Sequence, residues 1–207
     1  MDANSLFSAN VADAGRFREA IGRFDKLNAA DPNLELINGE STPREWLHAQ
    51  RLSQWVMTLA PTASEALRLA SRCQHLCRWT IPRDHYEMTR AGYHQWRNEL
   101  KRFHAGKSAE VLRSVGYPET MVTRVGELNL KKSFPADPDS RVLEDALCLV
   151  FLQFQFTALA DKTEEEKVIN ALQKAWKKMT PAAHEHALHL EYGHRERELI
   201  ERALRPK

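Results

Sequence analysis

Apolar side chains recur along this chain at intervals of three and four, with polar residues between them. That spacing predicts helices almost from end to end. Phe17, Ile21 and Phe24 mark an amphipathic first helix that ends near Asn28, ahead of Asp31-Pro32-Asn33, because a proline disfavours helix in the residue before it. A loop follows from Asp31 to Ser41, with Asn38-Gly39 as its clearest turn. Thr42-Pro43-Arg44-Glu45 reads as a capping box with proline at the first helical position, opening a helix to about Leu59. Thr62-Ala63-Ser64-Glu65 reads as a second box, with a helix to about Trp79 that Ile81-Pro82-Arg83 closes. After a loop to about Thr89, a long helix runs from Gly92 to Val115, with Gly116 as its stop. Pro118 opens a short helix to about Leu130, and Lys131 to Asp139 is a polar loop. Arg141 to Leu159 is a strongly apolar helix. Thr163-Glu164-Glu165-Glu166 is a third capping box, its helix reaching Met179, and Thr180-Pro181 starts a last segment with Gly193 as a break point. No stretch shows strand alternation. The expected fold is all-α: one helical bundle forming a single domain over residues 1–207.

Composition adds limits. A chain of 207 residues is long enough for one sizeable core. A net charge of +2 lacks the concentrated basic stripe of a dedicated nucleic-acid or membrane-surface protein, so neither partner is expected. The N-terminus has no basic start followed by an apolar run, so it does not read as a signal peptide. The longest apolar stretch, Ala146 to Phe156, is interrupted by Gln153 and Gln155 and falls short of the ~20 residues a membrane span needs. Cys73, Cys77 and Cys148 are an odd number and read as reduced thiols in a cytoplasmic protein. Cys73 and Cys77 lie four apart and could share a helix face, where they read as two buried small apolar residues more readily than as a metal site.

Helical spacing sets a few polar residues among apolar ones. His48 shares a face with Leu52, Trp55 and Leu59, and His104 shares one with Leu100, Val111 and Val115. Asp145 lies in line with Val142, Leu149, Leu152 and Phe156, where a carboxylate needs a cation, a metal or several hydrogen bonds. His75 points away from the apolar stripe of its helix. Three imidazoles and a carboxylate are a ligand set for zinc, manganese or iron. Taken singly, each histidine is more often a hydrogen-bonded core or surface residue than a ligand. The spacings of 27, 29 and 41 residues form no compact ligand motif. Two other patterns carry nothing. His184-Glu185-His186-Ala187-Leu188-His189 lacks the second histidine four residues on that a zinc-protease helix requires. The five tryptophans are dispersed at helical positions and read as packing rather than base stacking.

The segment Phe103 to Leu112, followed by Val115-Gly116-Tyr117-Pro118, resembles a helix of the HD-domain metal-dependent phosphohydrolases. His48 to Leu52 resembles their first-histidine helix, Leu69 to Arg78 the helix carrying the His-Asp doublet, and Glu144 to Leu147 the helix bearing the last aspartate. The match in order and spacing covers about residues 42 to 160, with the N-terminal helix and the C-terminal helices packed on that core. More closely, the chain resembles a family known as domain of unknown function 4202. The segments that carry this are Arg16-Phe17 with Arg23-Phe24-Asp25, Gln74 to Trp79 with Ile81-Pro82-Arg83, Ala91-Gly92-Tyr93 with Trp96-Arg97, Leu143-Glu144-Asp145, and Lys174-Ala175-Trp176 with Lys178-Met179.

The HD resemblance implies a divalent metal, manganese, zinc or iron, held by His48, His75, His104 and Asp145. It implies hydrolysis of a nucleotide or another small phosphate ester. Arg51 and Arg78, each one turn from a histidine, would orient the phosphate, with Arg83, Lys101, Lys131 and Lys132 as weaker candidates. The chain departs from the signature at one position: where the doublet has aspartate, this chain has Leu76. His104 would then supply the missing ligand, with Glu144 a poorer substitute. The alternative is an HD-like module without catalysis that binds a ligand or a protein partner.

Overall fold

The computed structural model describes residues 11–205. Helix takes up about 72% of it, and the fold is all-α apart from one short hairpin. The chain forms two compact units, Met1–Ser140 and Arg141–Lys207, so the division falls between His104 and Asp145.

The first unit starts with α1 (Ala14–Asn28), capped by Asp13, whose carboxylate accepts from the Arg16 N–H at 2.9 Å. Its buried face is Phe17, Ala20, Phe24 and Asn28. Next, where a loop was expected, comes an antiparallel hairpin of β1 (Leu34–Ile37) and β2 (Glu40–Pro43). Asn38 and Gly39 form its two-residue turn, both at positive φ (50° and 85°), the geometry that the Asn-Gly pair accepts at least cost. Alternation was hard to read because Leu34 and Leu36 point to solvent, 59% and 71% exposed. The helix α2 (Arg44–Leu59) follows the hairpin directly. Thr42 is a strand residue and forms no capping box. The first turn is held instead by Asp31, whose carboxylate accepts from the Glu45 N–H at 3.0 Å, and by the Asn33 carbonyl, which accepts from Arg44.

The helix α3 (Glu65–Cys73) is the centre of this unit. It packs on α1, α2 and α5 (Glu119–Leu130), and every residue from Ala66 to Cys73 is buried. Its two arginines are accommodated inside: Arg68 Nε donates to the Ala63 carbonyl, and Arg72 makes a two-pronged pair with Asp25 at 2.8 and 3.1 Å. Ser64, not Thr62, caps it, accepting from the Leu67 N–H. It also ends six residues earlier than the spacing predicts. Gln74 to Cys77 form a turn, with Cys77 in the left-handed region at φ 53°. Cys73 and Cys77 therefore share no helix face. Both are free and buried, and burial pushes the Cys73 thiol up to about 12.

Two single 3-10 turns, Arg78–Thr80 and Arg83–His85, lead to α4 (Arg90–Ser114), capped by Thr89. Gly116, at φ 82°, stops it as expected: its N–H donates to the Arg113 carbonyl and the next N–H, of Tyr117, to the Leu112 carbonyl. Near the start of α4 the backbone approaches so closely that a Cβ on Gly92 would lie 2.2 Å from the Glu87 carbonyl oxygen. The Arg83 guanidinium braces that same carbonyl at 2.7 Å. Gly92→Ala is therefore expected to lower the unfolding free energy by about 2 kcal/mol, the scale of a forced overlap in a packed site. An unchanged urea midpoint would show that the loop shifts freely.

The second unit takes up the chain within α6 (Pro138–Val150). Where one regular helix was predicted to Leu159, a π turn over Phe151–Gln155 intervenes before α7 (Phe156–Lys162). It leaves Gln153, Phe154 and Gln155 exposed and keeps Leu152 and Phe156 buried. The whole run, Pro138–Lys162, is long and apolar enough by length and composition to cross a membrane, and half of its most apolar window is buried in the fold. Then come α8 (Glu165–Lys178), α9 (Pro181–Leu188) and α10 (His194–Leu204). Thr163 forms no capping box, since no side chain caps α8, whereas Thr180 caps α9 and Gly193 does separate α9 from α10.

Candidate functional site

Two breaks in regular structure deliver the site. The hairpin hands directly into α2, so Glu45 and His48 occupy its first turns, three apart and on one face. Both are buried. The early end of α3 puts His75 in a turn rather than on a helix, which is why helical spacing gave it no inward face. The same turn presents the Leu76 carbonyl to α4, where it meets His104 Nδ1 at 2.9 Å.

Three residues separated by 27 and 29 positions thus come together. The His48 and His75 rings stack with centroids 4.2 Å apart and planes within 9°. His104 lies 5.8 Å from His75, tilted by 36°. Glu45 joins them: Oε2 is 3.3 Å from His75 Nδ1 and Oε1 is 3.8 Å from Arg78 Nε. The Arg78 guanidinium also lies over the Trp96 ring at 4.9 Å, and the Trp96 indole N–H donates to the Ile81 carbonyl. The His75 and Arg78 side chains keep 21% and 24% of their surface exposed, so this edge is the mouth of the site.

The electrostatics favour neutral imidazoles. Burial holds His48 and His75 well below the usual histidine range, and the positive charges of Arg78, Arg97 and Lys131 push His75 the same way. Burial takes His104 down to about 4, against the Leu76 hydrogen bond. Burial raises the Glu45 carboxyl, with His48 and Arg78 pulling in the other direction. The result is a cluster of neutral rings and one carboxyl set in a positive field.

The remaining candidates have partners of their own. Asp145 belongs to the second unit, where its carboxylate accepts from the Thr180 N–H at 2.9 Å and the Thr180 hydroxyl at 2.6 Å. This is the hydrogen-bonded outcome open to a buried carboxylate, and it fastens the cap of α9. Glu144 pairs with Lys178 at 3.1 Å, and Arg51 pairs with Glu35 of the hairpin at 2.8 Å. Arg83 spends its guanidinium on the carbonyls of Tyr86, Glu87 and Thr89. In the motif set aside earlier, His184 stacks on Trp176 at 4.0 Å, and His189 Nδ1 lies 2.7 Å from the Glu185 carbonyl.

Among the described residues no group of three or more His, Cys, Asp or Glu side chains is arranged to hold a metal ion. The stacking gives a physical reason. The lone pairs of imidazole lie in the ring plane, so two nearly parallel rings aim side by side rather than at one point ~2.1 Å from each. Glu45 is the member that the sequence reading missed. It was spent on a capping box, although a Glu-x-x-His pair in the first turn of a helix was available as a signal.

A family model described as domain of unknown function (DUF4202) matches residues 18–200. No curated protein and no solved structure matches the chain.

Proposed function

We propose, for a chain that belongs to the family described as domain of unknown function (DUF4202), that its first unit binds a small phosphate-bearing molecule at Glu45, His48, His75 and His104. A nucleotide or another phosphate ester fits that description. The observation that carries this reading is the positive charge around neutral rings. Beyond burial, Arg78, Arg97 and Lys131 act on His75, and Arg78 and Arg97 act on His104. A partly exposed guanidinium matches phosphate oxygens two at a time, and the neutral, partly exposed His75 ring can donate beside it without adding charge. Titration calorimetry with inorganic phosphate and with a nucleoside monophosphate tests this. Wild-type protein is expected to bind, and Arg78→Ala to bind roughly 10-fold more weakly, the worth of one charge-assisted hydrogen bond. Equal affinity of the two proteins, or no binding by either, sinks the reading.

A second reading is hydrolysis of that ester with a divalent ion, manganese, zinc or iron. Its support is the donor set, three neutral imidazoles with a carboxylate, together with the HD-like order of helices. Such an ion, when bound, lowers the pKa of a coordinated water and neutralises charge on a phosphoryl oxygen. In this reading Glu45 stands where Leu76 leaves the signature without its carboxylate. The parallel stacking of His48 on His75 weighs against it. Metal analysis of tag-free protein beside His75→Ala settles the choice. Wild-type protein without metal, and without phosphatase activity on adding each ion, leaves a ligand-binding module without catalysis.

A further inference from the structure

The Leu76 carbonyl can only accept a hydrogen bond, so His104 Nδ1, 2.9 Å away, carries the ring proton. His104 Nε2 is therefore an acceptor. The residue is 3% exposed, and among the described residues no donor reaches that atom. Glu45 Oε2 is a second acceptor in the same condition. It is buried in a residue 8% exposed and has no hydrogen-bond partner, because His75 Nδ1 at 3.3 Å is out of hydrogen-bond geometry. Folded proteins leave few such atoms unsatisfied, and here two flank one half-open histidine. The positive edge borders the second of them: Arg78 Nε lies 3.8 Å from the other oxygen of the Glu45 carboxylate. The cluster thus offers an anion partner at its partly exposed edge and lacks donors among the buried groups beside it.

We propose that the ligand of this site is a phosphate ester bearing at least two hydroxyls, its phosphate on Arg78, one hydroxyl donating to His104 Nε2 and another to Glu45 Oε2. This rests on the phosphate reading above and narrows it. A polyol or sugar phosphate has the required chemistry, whereas an alkyl phosphate has the anion and no donor.

The test compares two probes of similar size, glycerol 3-phosphate and propyl phosphate, with inorganic phosphate as a reference. All are titrated into full-length protein stripped of metal by a chelator. Wild-type protein is expected to bind glycerol 3-phosphate at least about 10-fold more tightly than propyl phosphate, since a site built for a hydroxyl rejects the analogue that leaves its buried acceptors unpaired. Glu45→Leu and His104→Phe, each checked for native helicity, are expected to bring the ratio near one. Equal binding of the two esters by the wild type overturns the proposal and leaves the phosphate reading standing. Failure of all three probes to bind removes both. A preference that emerges only on adding manganese overturns the proposal too, since an ion then occupies the acceptors.

Discussion

Asp145→Ala is expected to cost the second unit about 3 kcal/mol of unfolding free energy, the scale of losing two hydrogen bonds to a buried charged group. The carboxylate is 3% exposed and takes both the N–H and the hydroxyl of Thr180. The Thr180 hydroxyl is itself the cap of α9, accepting from the Ala183 N–H at 3.4 Å. Removing the carboxylate strands a part-buried N–H and loosens that cap, so the damage is to the junction of α8 and α9. Urea unfolding followed by circular dichroism reads the loss. Asp145→Asn keeps one acceptor and is expected to lose less. The same variants separate the two roles proposed for this residue. A metal ligand, when removed, lowers metal affinity in protein that is still fully folded. A structural carboxylate lowers the unfolding midpoint and leaves the affinity of the folded protein alone. A stable Asp145→Ala protein that has lost ligand or metal would return Asp145 to the site.

Asp145 also shows which parts of this protein the sequence made legible. Its position on an apolar face was readable, and so was its need for partners. The partner itself lies 35 residues further on, past α7 and α8, beyond the reach of any periodicity argument. Local signals fared well where the physics is local. The stop at Gly116 needs only a residue tolerant of positive φ, and the Thr180-Pro181 start needs only a hydroxyl and a fixed φ. They failed where a distant group took over. Thr42 looked like the cap of α2, yet Asp31 from beyond the hairpin holds that turn, which left Thr42 to a strand and freed Glu45 for the site. The hairpin itself was signalled by Asn38-Gly39 and hidden by two leucines on its solvent face. His48 and His104 were legible from their buried faces, whereas His75 was not, because it lies past the end of its helix. That departure brings the three rings together.

Acidification is expected to weaken the first unit through those rings. A histidine held below its unfolded value binds its proton more weakly in the folded state. The unfolded chain therefore takes up protons first as pH falls. Stability from such a group is fully present above pH ~6.5 and is lost as the pH drops toward the folded value. For His104 that window runs from 6.5 down to about 4, a change of about 3 kcal/mol, with about 2 kcal/mol of it between pH 6.5 and 5. His48 and His75 act in the same direction. Glu45 acts against them, because its raised carboxyl stabilises the fold at low pH and loses that contribution as the pH rises through its folded value. Three imidazoles outweigh one carboxyl, so the net slope is positive. Unfolding free energies from urea titrations at pH 7.5, 6.5, 5.5 and 5 give the slope directly, in a range where most carboxylates stay ionised. His104→Phe keeps a ring in place without a titrating group, and it should flatten that slope even as it lowers stability at pH 7.5. A slope that is the same in the variant, or a wild-type protein that gains stability on acidification, would mean that these rings meet water in solution and are not the buried neutral cluster described above.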